Sequence, residues 1–253
     1  MARRPRLEPV GIPLHVIGRG CRGIPVLGDD TSRSHFLHLL NDVVETCGWR
    51  VLDWVLMSNH HHLMVELREQ NLATGMQRLH GLHAVDWNRR HSLIGHAWMG
   101  RYSSVLVGTD RYQRNVLRYL ALNPVRAGLC AEPGQWRWSG YAANAGLRQA
   151  QPFHDVTLAR AVFRHVLDDD LSTAAEGQRY RRAVTAGLSN LPISPGVEST
   201  RPPLDEVIIE PTAHAIRRAA VLWEYSTSAI AAHCGISERT VQRRQERARP
   251  TVR

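Results

Sequence analysis

Between Trp49 and Leu67 the chain carries two apolar runs separated only by Ser58-Asn59. Trp49 to Met57 is rich in Val, Leu and Trp. His60 to Leu67 begins with three consecutive histidines and ends in Leu63-Met64-Val65-Glu66-Leu67. Two such runs joined by a short polar connection read as neighbouring strands. Side chains alternate between the faces of a strand. Leu63, Val65 and Leu67 therefore share an apolar face, and His60, His62, Met64 and Glu66 share the other. Two histidines, two residues apart on one face, can both reach one metal ion. His61 points the opposite way and is expected in the core as a buried, hydrogen-bonded imidazole. As a bare pattern the triplet also fits a histidine-rich polar turn, so the surrounding elements have to decide.

Those elements follow a recognisable order. Leu14 to Ile17, bracketed by glycines and a proline, reads as a first strand. Asp29-Asp30-Thr31 reads as a helix cap. Phe36, Leu39, Leu40, Val43 and Val44 then keep a helical period up to Gly48, a residue suited to ending a helix. After the two strands, Leu72, Met76 and Leu79 begin a second helix that runs toward Trp87. Tyr102 to Val107 is a fourth strand. Thr109-Asp110 begins a third helix, Arg111 to about Asn123, with Gln113 in the capping-box position if Asp110 is the cap. Pro124 is expected to end or kink it, and Val125 to Gly128 to form a short turn. Strand, helix, strand, strand, helix, strand, helix is the order of a split βαβ, ferredoxin-like α+β fold: an antiparallel sheet with helices on one face. The expectation is that the other face stays open, with His60 and His62 looking out from it.

The charge balance points to a polyanion. All 32 basic residues are arginine, against 23 acidic residues, for a net charge of +9. Such a surplus favours nucleic acid first and an anionic membrane second, and the planar guanidinium holds two phosphate oxygens at once. The absence of lysine fits genomic base composition. Cys21, Cys47, Cys130 and Cys234 are scattered without a CxxC pair, which argues against zinc ribbons and redox motifs. No signal peptide and no apolar run near the length of a membrane span is visible, so a cytoplasmic protein without a membrane partner is expected.

Gln135-Trp136-Arg137-Trp138-Ser139-Gly140-Tyr141 is aromatic and basic. It reads first as a loop over the core's edge and second as a stacking platform for an unpaired base. Two further helices are expected between Leu158 and Leu188, and Asn190 to Pro203 reads as a linker. Residues 1–145 thus form a first domain, 146–190 a helical extension, 191–205 a linker and 206–253 a separate all-α unit. In the last, Ile216, Ala219, Ala220 and Trp223 make one helical face. Ser226 to Arg244 follows with small Ala231 where two helices must touch, Gly235 at the turn, Ser237 as a cap and Val241 packing back. That is a helix-turn-helix pattern, presenting Arg239, Thr240, Gln242, Arg243 and Arg244 to a major groove. A plain helical hairpin with a solvated arginine face is the competing reading.

On the third helix Tyr119 and Asn123 are one turn apart on one face, about 6 Å along the axis. A tyrosine that attacks phosphate needs a metal to polarise the scissile group and a fixed angle to it. His60, His62 and the Asn123 amide oxygen would supply three ligands, with Tyr119 beside them. Tyr119 also fits a half-buried core position, and Tyr102 and Tyr112 are competing nucleophiles.

Met57-Ser58-Asn59-His60-His61-His62-Leu63-Met64-Val65, Gly100-Arg101-Tyr102-Ser103-Ser104-Val105-Leu106-Val107 and Arg118 to Gly128 together resemble the single-tyrosine HUH transposases. More narrowly they are similar to the repetitive-extragenic-palindrome-associated tyrosine transposases. Trp138-Ser139-Gly140-Tyr141 resembles that branch's Trp-Ser-Ser-Tyr, with Gly140 departing from it, and His61 stands where a hydrophobic residue is usual. The resemblance implies His60, His62 and Asn123 as metal ligands, Tyr119 as nucleophile and Mg²⁺ or Mn²⁺ as the ion. Arg101, Arg118, Arg126 and Trp138 become candidate DNA contacts. It implies cleavage and rejoining of single-stranded, hairpin-bearing DNA through a 5′-phosphotyrosine, without ATP. It leaves open a homodimer, since some relatives complete each site with a partner's tyrosine helix. The rival functions are a non-catalytic DNA-binding regulator acting through the helix-turn-helix, and a replication or relaxase nuclease on the same scaffold.

Overall fold

The computed structural model describes residues 8–164, 173–186 and 227–247, with single positions between 204 and 219. The chain divides into two compact units, Glu8–Leu191 and a C-terminal unit from Pro192.

The first unit is built on four strands: β1 (Leu14–Arg19), β2 (Arg50–Leu56), β3 (His60–Glu66) and β4 (Ser103–Leu106). They pair antiparallel in the order β2-β3-β1-β4, the arrangement expected from the split βαβ pattern. The register sets Arg19 opposite His60, Ile17 opposite His62 and His15 opposite Met64. Directly paired residues share a face, so His15, Ile17, Arg19, His60 and His62 lie together, and Val16, Gly18, His61 and Leu63 lie on the other side.

Helices α1 (Asp30–Cys47) and α2 (Leu72–His91) cover the His61 face. Asp29 caps α1, its carboxylate accepting from the Ser32 N–H at 2.7 Å. The helix ends at Gly48 with φ of 66°, a left-handed conformation that a Cβ would strain. Phe36, Leu39, Leu40 and Val43 are buried along one stripe, as the period requires. The start of α2 is held from far away in sequence: the Glu8 carboxylate accepts from the Leu72 and Ala73 N–H groups.

The opposite face is not open. Helix α3 (Asp110–Arg126) lies against it, with Tyr119 in ring contact with both His15 and His62. His62 is 1% exposed. The reason is legible in β2, where every residue from Val51 to Leu56 is buried. A near-continuous apolar strand belongs to a sheet covered on both faces. Helix α3 also differs at its ends from expectation. Thr109, not Asp110, is its cap, accepting from Tyr112 N–H at 3.3 Å, and Gln113 makes an ordinary helical bond back to Thr109. Pro124 does not stop the helix. Its ring removes one donor, but Ala127 N–H bonds Asn123 and the turn closes at Gly128 with φ of 69°.

Residues 146–164 and 173–186, within the expected helical extension, belong to the same compact unit as the sheet. Short helices α4 (Tyr141–Asn144) and α5 (Val156–Ala161) and the longer α6 (Thr173–Thr185) close around β2. Ser139 and His154 make isolated bridges to Val55 and Val51, covering the sheet's edge. Beneath them Asp53 is buried, accepting from Trp54 N–H at 2.8 Å and Tyr180 Oη–H at 3.0 Å. Burial pushes its carboxyl up to about 7, against the hydrogen bonds from Trp54, Tyr180 and Asn144. The departure Gly140 sits on this cluster. A Cβ there would lie 2.3 Å from Asp53 Oδ1 and 2.7 Å from His154 Cε1.

In the C-terminal unit, α7 (Thr227–Cys234) and α8 (Glu238–Arg247) are joined through Gly235, φ 63°. Ser237 Oγ accepts from Thr240 N–H at 3.3 Å. Ile208, Ile216, Ala219, Ile230, Ala231 and Val241 form its core. Ala220, Trp223, Ser226 and most of the expected linker lie outside the described residues. No helix among the described residues is long and apolar enough to cross a membrane.

Candidate active site

Sheet register and helix period together bring four rings into one place. His60 and His62 are 5.1 Å apart between ring centroids, His62 and Tyr119 are 5.2 Å apart, and His15 and Tyr119 are 6.1 Å apart. His15 and His62 stack at 5.0 Å with Nε2 of the first 2.9 Å from Nδ1 of the second. The Arg126 guanidinium lies 5.6 Å from the centre of the Tyr119 ring, two turns along α3, so a positive charge stands beside the phenol. Asn123 is buried one turn beyond Tyr119.

The histidines are neutral at neutral pH. Burial holds His15 and His60 down at about 4, with Arg19 adding to the effect at His60, and holds His62 well below the usual histidine range. Neutral imidazole is the form that binds a cation. The Asn59 amide oxygen accepts from His60 Nδ1 at 2.7 Å, which leaves His60 Nε2 as the lone-pair nitrogen. His62 Nε2 is buried with no hydrogen-bond partner in the structure. The two imidazole nitrogens, together with the buried Asn123 amide one turn from Tyr119 on α3, are donor types that suit a divalent ion. Among the described residues no three His, Cys, Asp or Glu side chains are grouped to hold a metal.

His61 lies in the core as expected. It is fully buried, with Nε2 2.7 Å from His80 Nε2, between Phe36 and Trp98. His80 stacks on Trp98 at 4.3 Å. The hydrophobic position is thus filled by a histidine whose Nε2 is bonded to His80 and whose Nδ1 is buried without a hydrogen-bond partner. Tyr102 and Tyr112, the competing phenols, are 6% and 7% exposed, which leaves Tyr119 as the accessible one of the three.

Other expected contacts fall elsewhere. Arg101 is exposed ahead of β4. Arg118 is a brace: its Nε donates to the Ala183 carbonyl of α6 at 2.6 Å. Trp138 is buried and offers no open stacking face; the Arg137 and Arg33 guanidiniums lie 4.4 and 5.6 Å from its ring. The aromatic stretch is the loop over the core edge. On α8, Arg239, Gln242 and Arg243 are exposed. The Thr240 hydroxyl bonds Ser237 at the cap and Arg244 donates to the Pro211 carbonyl. His15 was not among the expected site residues. Its signal is a lone histidine inside the apolar run Leu14 to Ile17, visible but not decisive without the register.

Residues 11–123 match the family model of the IS200-like transposases. No curated protein matches the chain. Among solved structures, a REP-associated tyrosine transposase bound to a REP hairpin shares the fold. The TM-score is 0.50 at 16% identity, covering 62% of this chain and 93% of that one. The family-model match, residues 11–123, spans the segment that carries the histidine pair and Tyr119. Through this N-terminal region the chain is similar to the IS200-like transposases.

Proposed function

We propose that this protein is a DNA transposase that cleaves and rejoins single-stranded, hairpin-bearing DNA through a 5′-phosphotyrosine on Tyr119. The observation that carries the reading is the contact of Tyr119 with His62, on the face where His62 Nε2 has no hydrogen-bond partner and the Asn59 bond leaves His60 Nε2 as the lone-pair nitrogen. The DNA hairpin bound to the structural neighbour and the excess of arginine support the choice of substrate.

His60, His62 and Asn123 would hold the divalent ion, Mg²⁺ or Mn²⁺. When bound, such an ion supplies Lewis-acid polarisation of a phosphate oxygen. Tyr119 Oη attacks the phosphorus; the bond to the 3′-oxygen breaks, the phenol gives up its proton, and the departing 3′-oxygen gains one. The 5′-phosphate remains on Tyr119. Attack by a 3′-hydroxyl reverses the step, so joining needs no ATP. Arg126 supplies positive charge next to the phenol and the phosphate it meets. The low affinity of His15, His60 and His62 for protons keeps them from being charged at neutral pH. The C-terminal unit would add duplex recognition, with Arg239, Gln242 and Arg243 of α8 facing a major groove. That exposed basic helix is also what favours the rival reading, a regulator that binds DNA without cutting it.

The test is incubation with hairpin oligonucleotides from beside the gene in the presence of Mn²⁺. A protein–DNA band that survives SDS and is lost in Tyr119→Phe supports the transposase. Duplex binding with no such band from any flanking oligonucleotide supports the regulator.

A further inference from the structure

His15 is fully buried at the centre of the site and the proposed reaction gives it no task. Its Nε2 lies 2.9 Å from His62 Nδ1, within hydrogen-bond range. Two tautomeric arrangements satisfy that bond. In one, His15 Nε2–H donates to His62 Nδ1, which puts the second imidazole's proton on Nε2. In the other, His62 Nδ1–H donates to His15 Nε2, which leaves His62 Nε2 as a bare lone pair. Each leaves both His15 Nδ1 and His62 Nε2 buried without a partner, one as a bare N–H and the other as a bare lone pair, so hydrogen-bond counting alone does not choose. The neighbouring histidine does. His60 uses Nδ1–H toward the Asn59 amide oxygen and keeps Nε2 bare. Only the second arrangement gives two bare Nε2 nitrogens on the same face of β3, two residues apart.

We infer that His15 is a positioning residue: its Nε2 accepts the Nδ1–H of His62 and holds that imidazole in the tautomer and orientation that turns Nε2 to a cation. The inference rests on the metal-dependent reading of the site. The stacked rings, 26° apart in plane, fix the donor's direction as well as its proton. Partners that orient a ligating histidine in this way are commonly worth about 10- to 100-fold in metal affinity. The pair works through geometry that the sheet enforces. His15 sits on β1 two residues from Ile17, the direct partner of His62, so a register slip of β1 would remove the acceptor.

The experiment uses the full-length chain with ¹⁵N-histidine labelling and no added metal. The His62 tautomer is read from long-range ¹H–¹⁵N correlations, assigned by comparison with His62→Gln. Mn²⁺ binding is then measured directly by electron paramagnetic resonance for wild type, His15→Leu and His15→Gln. The expected result is an Nδ1–H tautomer at His62 in the wild type. His15→Leu should lose that tautomer's dominance and bind Mn²⁺ about 10- to 100-fold more weakly. Glutamine carries an acceptor oxygen at similar reach and should restore binding to within a few-fold, an outcome that a purely space-filling role does not give. Tautomer control by His15 without Mn²⁺ binding in any of the three proteins upholds the role of His15 and overturns the metal reading instead. A wild-type His62 protonated at Nε2 overturns the inference, whether or not the leucine variant folds. So does a folded His15→Leu protein with unchanged Mn²⁺ affinity.

Discussion

Replacing Gly140 with the serine usual in the resembling branch should destabilise this protein. Alanine isolates the cause. A Cβ at position 140 would sit 2.3 Å from Asp53 Oδ1, 2.7 Å from His154 Cε1 and 3.2 Å from Trp54 Cδ1. None of the three can swing away. Asp53 is held by Trp54 N–H and Tyr180 Oη–H, His154 Nε2–H donates to the Leu52 carbonyl at 3.0 Å, and Trp54 is fully buried. Forcing a methyl group into such a core costs about 1–3 kcal/mol. Losing the buried bond between Tyr180 and Asp53 adds about 1–3 kcal/mol. The sum, about 2–6 kcal/mol, corresponds to a fall in melting temperature of roughly 4–24 °C for a unit of this size. Scanning calorimetry of wild type, Gly140→Ala, Asp53→Ala and the double variant gives the coupling. Removing the Asp53 carboxylate makes room for the methyl, so the double variant should be more stable than additivity requires by about 1–2 kcal/mol. Additive effects, or a Gly140→Ala protein within about 0.5 kcal/mol of wild type, the usual scatter of surface substitutions, would refute the reasoning.

Acid should weaken the fold earlier than carboxylate titration does. His83 and His154 are held at about 4 and His80 at about 3, mainly by burial. A folded pKa below the unfolded value near 6.5 gives stability that is complete above about pH 6.5 and is lost as pH falls through the folded value. For His154 alone that is up to about 3 kcal/mol between about pH 6.5 and 4. Asp53, raised to about 7, acts in the opposite sense and loses its contribution as pH rises toward 7. Urea midpoints flat between about pH 7.5 and 5 would contradict this, and a marked fall is expected. Asn59→Ala removes the acceptor for His60 Nδ1 and should weaken Mn²⁺ binding, measured by paramagnetic resonance, while leaving the melting temperature nearly unchanged. Arg239→Ala and Arg243→Ala should each reduce the salt dependence of duplex binding by about one phosphate's worth in a filter or fluorescence titration, with no effect on adduct formation.

Strand order, helix order, the burial of His61 and the helical C-terminal unit were all legible from alternation and period, because each depends on local pattern. The pairing of His60 and His62 on one face followed from strand alternation alone. What alternation does not specify is which helix covers which face. Tyr119 reached His62 because α3 lies across the face that the histidines occupy, a tertiary choice that the fully buried β2 hinted at but the βαβ template hid. Trp138 failed as a stacking platform for a related reason: an aromatic residue reads the same on an open surface as under two arginines. Arg118 looks like a phosphate contact in sequence, and only the Ala183 carbonyl shows its use as a brace. His15 needed the β1–β3 register before it had any meaning. Thr109 displaced Asp110 as the cap by a single residue, a shift within the usual uncertainty of helix ends.

The central claim is that Tyr119 carries the DNA, and trypsin can test it. Cleavage after Arg118 and Arg126 releases Tyr119–Arg126 as one peptide. After reaction with a hairpin oligonucleotide and nuclease trimming, mass spectrometry should find that peptide bearing a nucleotide through its 5′-phosphate. A nucleotide on a peptide containing Tyr102 or Tyr112, or a linkage through a 3′-phosphate, would contradict the account.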